Sequence, residues 1–217
     1  MDRPDLRVWA VADGAGGHAA GDHAAGLIAE ALEALQPALP PATALRHVRA
    51  SIESVHHALQ DEAVRRGTPC ILSTVVILLL ADDHFVCLWA GDSRGYLLRS
   101  GVLEQITHDH SLVQNLLDAG AIDEQAARVH PQGNVITRAI GTPDAELFLS
   151  KSSGVLLPGD RFLLCSDGIT KVLEDDMLCE LLASSPAETA ADVLVGAALR
   201  GGARDNVTAV TIELAHP

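Results

Sequence analysis

Three aspartates in this chain stand where an apolar run meets a turn: Asp13 in Val11-Ala12-Asp13-Gly14, Asp167 in Cys165-Ser166-Asp167-Gly168, and Asp205 in Arg204-Asp205-Asn206. One Asp-Gly pair is an ordinary turn signal, because Gly accepts positive φ and Asp bonds its own backbone. Three in matching settings, far apart in sequence, suggest carboxylates delivered by separate strands to one rim of a fold. Carboxylate oxygens without His or Cys companions suit hard divalent ions such as Mg²⁺ and Mn²⁺. The first aspartate runs into Gly14-Ala15-Gly16-Gly17-His18. That loop has neither the Lys-Ser/Thr of a P-loop nor the spacing of a dinucleotide fingerprint. Its glycines instead give backbone room beside Asp13, where a carbonyl can turn toward a cation.

The charge balance agrees with a cation site. Lys and Arg number 15 against 29 Asp and Glu, a formal net charge of -14. Such a surface disfavours nucleic acid and anionic membranes, which need a basic footprint. It would also repel a phosphorylated substrate unless bound metal reversed the sign locally. The longest apolar run, 75–81, fits one buried strand and is far too short to span a bilayer. Met1-Asp2-Arg3-Pro4-Asp5 is not an apolar signal segment. Cys70, Cys87, Cys165 and Cys179 show no Cys-x-x-Cys spacing, so reduced, buried thiols and a cytoplasmic setting are expected.

Around the aspartates, the elements follow from periodicity. A strand over 6–12 runs into the first Asp-Gly loop. Leu27, Ile28, Ala31, Leu32 and Leu35 then share one helical face, ended by Pro37, Pro40 and Pro41. Leu45, Val48, Ile52, Val55 and Leu59 give a second helix closing near Gly67, with His56 and His57 expected at its surface or half-buried. Residues 71–80 and 85–90 read as strands joined at Asp82-Asp83, and 95–98 and 102–106 as a hairpin across Arg99-Ser100-Gly101. The stretch 107–141 is too long for a plain connector and reads as a lid-like insert with one helix over 112–119. A strand over 147–149, a strand over 161–165, helices over 175–183 and 186–199, and a β-rich run over 206–214 complete the chain. With an apolar content of 48 % but only 3 % aromatic, the core must be aliphatic. At 217 residues the chain fits one large domain. Successive short hairpins favour antiparallel pairing, and two groups of helices would cover the outer faces of packed sheets.

Four stretches together resemble the metal-dependent Ser/Thr protein phosphatases of the protein phosphatase 2C class, bacterial type. They are the run from Val11 through Asp13, Gly14 and His18 to Gly21, Ala90-Gly91-Asp92-Ser93-Arg94-Gly95-Tyr96, Leu164-Cys165-Ser166-Asp167-Gly168, and Gly202-Ala203-Arg204-Asp205-Asn206-Val207-Thr208. The resemblance implies an α+β fold: a four-layer α/β-β/α sandwich of two mostly antiparallel sheets flanked by helix pairs. It implies a single catalytic domain over 1–217, with 107–141 as a flap beside the site. It further implies that Asp13 bridges two Mn²⁺ or Mg²⁺ ions, that the Gly14 carbonyl joins one, and that Asp167 and Asp205 complete the pair. Asp92, with Asp167, matches the position of a possible third ion. The activity implied is hydrolysis of phosphoserine and phosphothreonine by a metal-activated bridging water, without a protein nucleophile. The expected partners are phosphoproteins, substrates of a bacterial Ser/Thr kinase.

Several positions depart from the family pattern. Relatives carry a leading strand with a phosphate-gripping Arg and an acidic pair, and nothing here matches it. Arg3 and Arg7 lie too close to Asp13 to take that role. Weaker substrate binding and an uncovered sheet edge are therefore expected. A catalytically weakened regulator of the same fold is the alternative reading, and a small-molecule phosphohydrolase shares the chemistry. Ala15 replaces residues of relatives that include a proposed acid, so water or another group would protonate the leaving oxygen, and His18 reads as a loop residue. Asp22 is expected to favour the positive end of the first helix. His108, Asp109 and His110 look like a metal triplet, but adjacent side chains rarely converge on one ion. Arg128 and Arg138 read as solvated surface charges.

Overall fold

The computed structural model describes residues 1–15, 18–37 and 40–214, the side chains of His18, Ala19 and Pro41 excepted. Gly16, Gly17 and the His18 side chain, where a loop role was expected, lie outside the described residues.

Two antiparallel sheets form the middle of the molecule. The first has the order β1 (Asp2–Arg3), β2 (Val8–Ala15), β3 (Leu72–Ala81), β4 (His84–Ala90), β7 (Ser150–Val155). The second runs β6 (Val102–Gln105), β5 (Arg94–Arg99), β8 (Arg161–Cys165), β9 (Ala209–Glu213). Helices α1 (His18–Glu33) and α2 (Pro41–Arg66) cover one outer face, and α5 (Asp167–Thr170), α6 (Asp175–Ser184) and α7 (Ala190–Arg200) the other.

Strand side chains alternate between faces, and that alternation fills three separate cores. On β3, Val75, Ile77 and Leu79 pack with Ile28, Leu32, Ile52 and Leu59 of the first helix pair. Their neighbours Val76 and Leu78 face the other sheet, meeting Phe85, Cys87, Leu97, Phe162 and Leu164. On β8 the parity continues, with Leu163 and Cys165 joining Leu178, Leu182 and Leu194 beneath α6 and α7. Three cores between four layers are the α/β-β/α sandwich. Burial raises the Cys87 and Cys165 thiols to about 12, which keeps them protonated and inert.

Turns close where the sequence has turn chemistry. Ser100 and Gly101, at φ 52° and 80°, close the β5–β6 hairpin with two left-handed residues. Gly67, at φ 62°, caps α2 by returning its N–H to the carbonyls of Ala63 and Val64.

Four details differ from the periodicity. No strand forms over 147–149; β7 instead begins at Ser150 in the polar run Ser150-Lys151-Ser152-Ser153-Gly154. It is an edge strand paired only with β4, so alternating exposed positions tolerate polar residues. Asp22 falls in the second turn of α1, because the helix starts at His18, and the dipole acts mainly within the first turn. His56 is buried, accepting the Gly141 N–H at Nδ1 (3.0 Å) and bonding the Ala145 carbonyl through Nε2 (2.9 Å), while His57 is exposed. The last helix starts at Ala190, four residues later than its sequence signal.

The insert 107–141 contains α3 (Leu112–Asp118) and α4 (Glu124–Arg128), neither of which buries a residue. It is fastened at its two ends. Ile140 bridges Ser73 at the end that His56 anchors, and at the other the Trp89 indole donates to the His108 carbonyl (2.8 Å). Among the described residues no helix is long and apolar enough to cross a membrane.

Candidate metal centre

Asp13 sits near the end of β2, in register with Thr74 on β3. The Thr74 hydroxyl lies 2.7 Å from that of Ser93, next to Asp92. Register thus links the first aspartate to the β4–β5 turn that carries the second. That turn is tight: Gly91 has φ 112°, and a Cβ there would lie 2.5 Å from the Cβ of Thr74. The Gly91 N–H donates to Nδ1 of His110 (3.2 Å), which ties the same turn to the insert.

Asp167 and Asp205 are brought together in the second sheet. Asp167 is the first residue of α5, directly after β8, and Asp205 lies in the loop entering β9. Ser166 stitches the two loops, its hydroxyl donating to the Asn206 carbonyl (3.2 Å) and accepting the Thr208 N–H (3.1 Å). A Cβ on Gly168 would stand 2.2 Å from the Asn206 carbonyl oxygen, so only Gly permits this approach. Gly14 is similarly constrained, since its Cβ would fall 2.0 Å from the Gly21 carbonyl oxygen on α1. The aspartates and Gly14 therefore lie at a strand end, in turns or at a helix start, beside close contacts at Gly14, Gly91 and Gly168.

Electrostatics show that the four carboxylates share a neighbourhood. The Asp13 carboxyl is pushed up to about 7, by burial first and then by the charges of Asp167, Asp205 and Asp92. Asp92 rises to about 6, again by burial, with Asp167 and Asp109 adding to it. Carboxylates held against one another in a partly dry site are costly without a cation. Asp167 Oδ1 is buried with no hydrogen-bond partner, an acceptor for which a metal ion is the natural complement. Among the described residues, however, no three His, Cys, Asp or Glu side chains are already drawn into a ready-made ligand set. The carboxylates couple through their charges and would have to close around an ion.

One cation does enter this group. Lys171 donates to Asp167 Oδ2 from one helical turn further on. Burial opposes its charge, but the bond to Asp167 and the charges of Asp167, Asp92 and Asp205 hold its pKa above the ordinary value. Sequence reading passed over it, although a spacing of i,i+4 from a proposed ligand places both side chains on one helical face.

The supposed metal triplet has other duties. Asp109 accepts a two-pronged bond from Arg94 (2.9 and 2.8 Å) and a third bond from Gln105 (3.0 Å). His110 lies between Gly91 and the Ser150 hydroxyl (2.9 Å), and burial, aided by Arg138, lowers it to about 4. His108 bonds Asp118 (2.8 Å) at the surface. A hollow of about 430 Å³ opens beneath the insert between His108, His110, Asn115 and Arg138, and none of the four aspartates lines it. Both surface arginines are exposed, as expected, with Arg128 beside Glu174 (2.7 Å) and Arg138 4.7 Å over the Phe148 ring. Arg3 is held by Asp5 (2.7 Å) and the Glu33 carbonyl, away from the carboxylates. β1 covers β2 only at Val8 and Trp9, so the outer edge of β2 near Asp13 has no strand partner among the described residues.

These shifts fix a pH dependence. Raised folded-state values mean that Asp13 and Asp92 penalise the metal-free fold at alkaline pH and cease to do so as they protonate. His110 works in the opposite direction below about 6.5, where the imidazole of the unfolded chain takes up a proton. Between about pH 8 and about pH 6 the carboxylates outweigh the imidazole. In chelator, urea unfolding should show a gain of up to about 1 kcal/mol on acidification across that range, after discounting for the partial exposure of Asp13. Saturating Mn²⁺ should abolish the gain.

The family model for Protein phosphatase 2C matches residues 2–197 of the chain. The Ser/Thr protein phosphatase PstP of Mycobacterium tuberculosis is 37% identical over 209 residues, covering 96% of this chain but 40% of that protein. The chain thus spans about two-fifths of the length of that relative. Among solved structures, PppA of Pseudomonas aeruginosa superposes with a TM-score of 0.90 at 41% identity, covering 98% of this chain and 88% of its own. The catalytic domain of PstP in complex with two manganese ions superposes with a TM-score of 0.83 at 35% identity, over 97% and 88% of the two chains.

Proposed function

Because the chain belongs to the protein phosphatase 2C family, we propose that it hydrolyses phosphoserine and phosphothreonine in proteins at a centre of two Mn²⁺ or Mg²⁺ ions. The observation that carries this reading is the group of carboxylates, Asp167, Asp205 and Asp92, whose charges act on Asp13, with the orphaned Asp167 Oδ1 among them. Asp13, the Gly14 carbonyl, Asp167 and Asp205 would hold the two ions, and Asp92 with Asp167 a third. When bound, the ions supply Lewis acidity and an activated water.

The chain's own residues do the rest. The Thr74–Ser93 bond and the Ser166 bonds tie the loops that carry these aspartates, which supports a shared site for their carboxylates. Their charge concentrates cations there and, once neutralised, no longer repels a phosphoryl group. The insert 107–141, rooted on Arg94 and His56, borders this rim as a flap. No side chain here is needed as a nucleophile, and the buried thiols are unsuited to that role.

The substrates on this reading are phosphoproteins, opposite a bacterial Ser/Thr kinase, in a cytoplasmic setting. The test is turnover of a phosphothreonine peptide by the full chain in Mn²⁺, in EDTA, and after Mn²⁺ is restored. Activity should vanish in EDTA and return with the metal. A folded, Mn²⁺-loaded protein that leaves the peptide intact would make it a regulator of the same fold. Faster turnover of nucleotides or sugar phosphates than of the peptide would shift the reading to a small-molecule phosphohydrolase.

A further inference from the structure

Lys171 is the one Lys or Arg side chain, among the described residues, that pairs with any of the four carboxylates. Its place is set by α5: its N–H bonds the Asp167 carbonyl (2.8 Å), and the i,i+4 spacing folds its ammonium back over the Asp167 carboxylate. The two oxygens of that carboxylate have different surroundings. Oδ2 takes the Lys171 ammonium, and Oδ1 is buried and unpartnered. The charge of Lys171 also reaches Asp92 and Asp13.

We propose that Lys171 is a resident counter-ion of the centre, occupying Asp167 Oδ2 in competition with the ion that Asp167 and Asp92 would share. This rests on the metal-centre reading above. An ammonium on Oδ2 uses one of that oxygen's lone pairs, and as a like charge at close range it repels an ion approaching Asp167. In the metal-free protein the same ammonium relieves repulsion among the carboxylates. Lys171 therefore weakens the site that Asp167 and Asp92 would share while steadying the metal-free carboxylates. It sets the metal concentration at which the centre fills, and so acts as a positioning residue rather than a catalytic one.

The test uses the full chain, stripped with EDTA and desalted, with Mn²⁺ binding followed by calorimetry. Lys171→Gln and Lys171→Met should bind the weakest Mn²⁺ about tenfold more tightly and melt at lower temperature in EDTA, whereas Lys171→Arg should resemble the parent. Unchanged or weaker Mn²⁺ binding in the first two overturns the proposal. A readout on the unaltered protein guards against variants that fail to fold. Acetylation of Lys171, read by mass spectrometry against the exposed Lys151, should speed up several-fold when Mn²⁺ displaces the ammonium from Asp167. An unchanged rate counts against displacement. If the folded parent binds no Mn²⁺, the metal-centre reading falls and this proposal with it. If the parent binds Mn²⁺ and neither readout moves, only the role of Lys171 falls.

Discussion

Asp167→Asn is expected to cut Mn²⁺-dependent turnover of a phosphothreonine peptide by about a thousandfold or more while leaving the chain folded. The substitution is nearly isosteric, and the backbone bonds of Ser166 that position the loop do not involve the Asp167 side chain. What changes is charge and acceptor count. One carboxylate oxygen becomes an NH₂ group that donates and cannot ligate, in a site proposed to hold cations on the carboxylates that act on Asp13. A thousandfold loss corresponds to about 4 kcal/mol of transition-state stabilisation, in the range expected when an electrostatic element of a catalytic site is removed. Stability should move the other way or hardly at all, because Asp13 loses its largest source of like-charge repulsion even as Lys171 loses its partner. Kinetics across a Mn²⁺ titration, with calorimetry beside them, separate loss of metal from loss of chemistry. Turnover within tenfold of the parent at saturating Mn²⁺ would remove Asp167 from the centre.

Much of this arrangement is legible in the sequence, because the layers are written in period-two alternation. Val75 to Leu79 already specifies a strand buried on both faces, and Leu163 and Leu164 likewise divide between two cores. Motif residues at strand ends then place the aspartates. Less legible are features whose signal is tertiary. β7 is polar in composition because only one of its edges is paired, so its strand character comes from β4. His56 shares a helix with exposed neighbours, and only the return of the chain at Gly141 buries it. α5 is a single turn, too short for periodicity to show, and Lys171 with it.

The glycines carry a further lesson. Gly14 against Gly21, Gly91 against Thr74 and Gly168 against Asn206 are three separate contacts where a Cβ would clash at 2.0 to 2.5 Å. Each lies one residue from a proposed ligand. In sequence Gly14 reads as backbone room beside Asp13 and the other two as turn residues, yet only Gly91 among the three has a positive φ. The other two serve close approach of backbone to backbone: Gly14 lets β2 lie against the following helix, and Gly168 lets the Asp167 turn meet the distant loop of Asp205 and Asn206. The -14 net charge makes coupling among the carboxylates expensive without metal, which is the physical link between this composition and a cation-dependent site.

Asp109→Ala is expected to destabilise the chain clearly while retaining all four aspartates of the site. Asp109 is buried and holds the Arg94 guanidinium through a two-pronged bond, with Gln105 as a third donor. Arg94 also donates to the Tyr96 hydroxyl (3.1 Å), itself bonded to Asp175 on α6 (3.2 Å). Removing the carboxylate strands a mostly buried guanidinium, and breaking such a pair from one side is costlier than the pair is worth. Because the Arg94 side chain keeps 26% of its exposure, a loss of about 2–3 kcal/mol is expected, below that of a fully buried pair. The effect should reach the active rim as well. Asp109 roots the insert beside the Gly91–Ser93 turn, so its loss should loosen Asp92 and raise the Mn²⁺ concentration needed for activity. Replacing both partners, as Arg94→Met with Asp109→Leu, should restore part of the stability, since no charge is then stranded. Urea unfolding of the two single variants and the double variant measures the coupling. Additive losses would show that the pair is solvated and that this end of the insert is rooted without it.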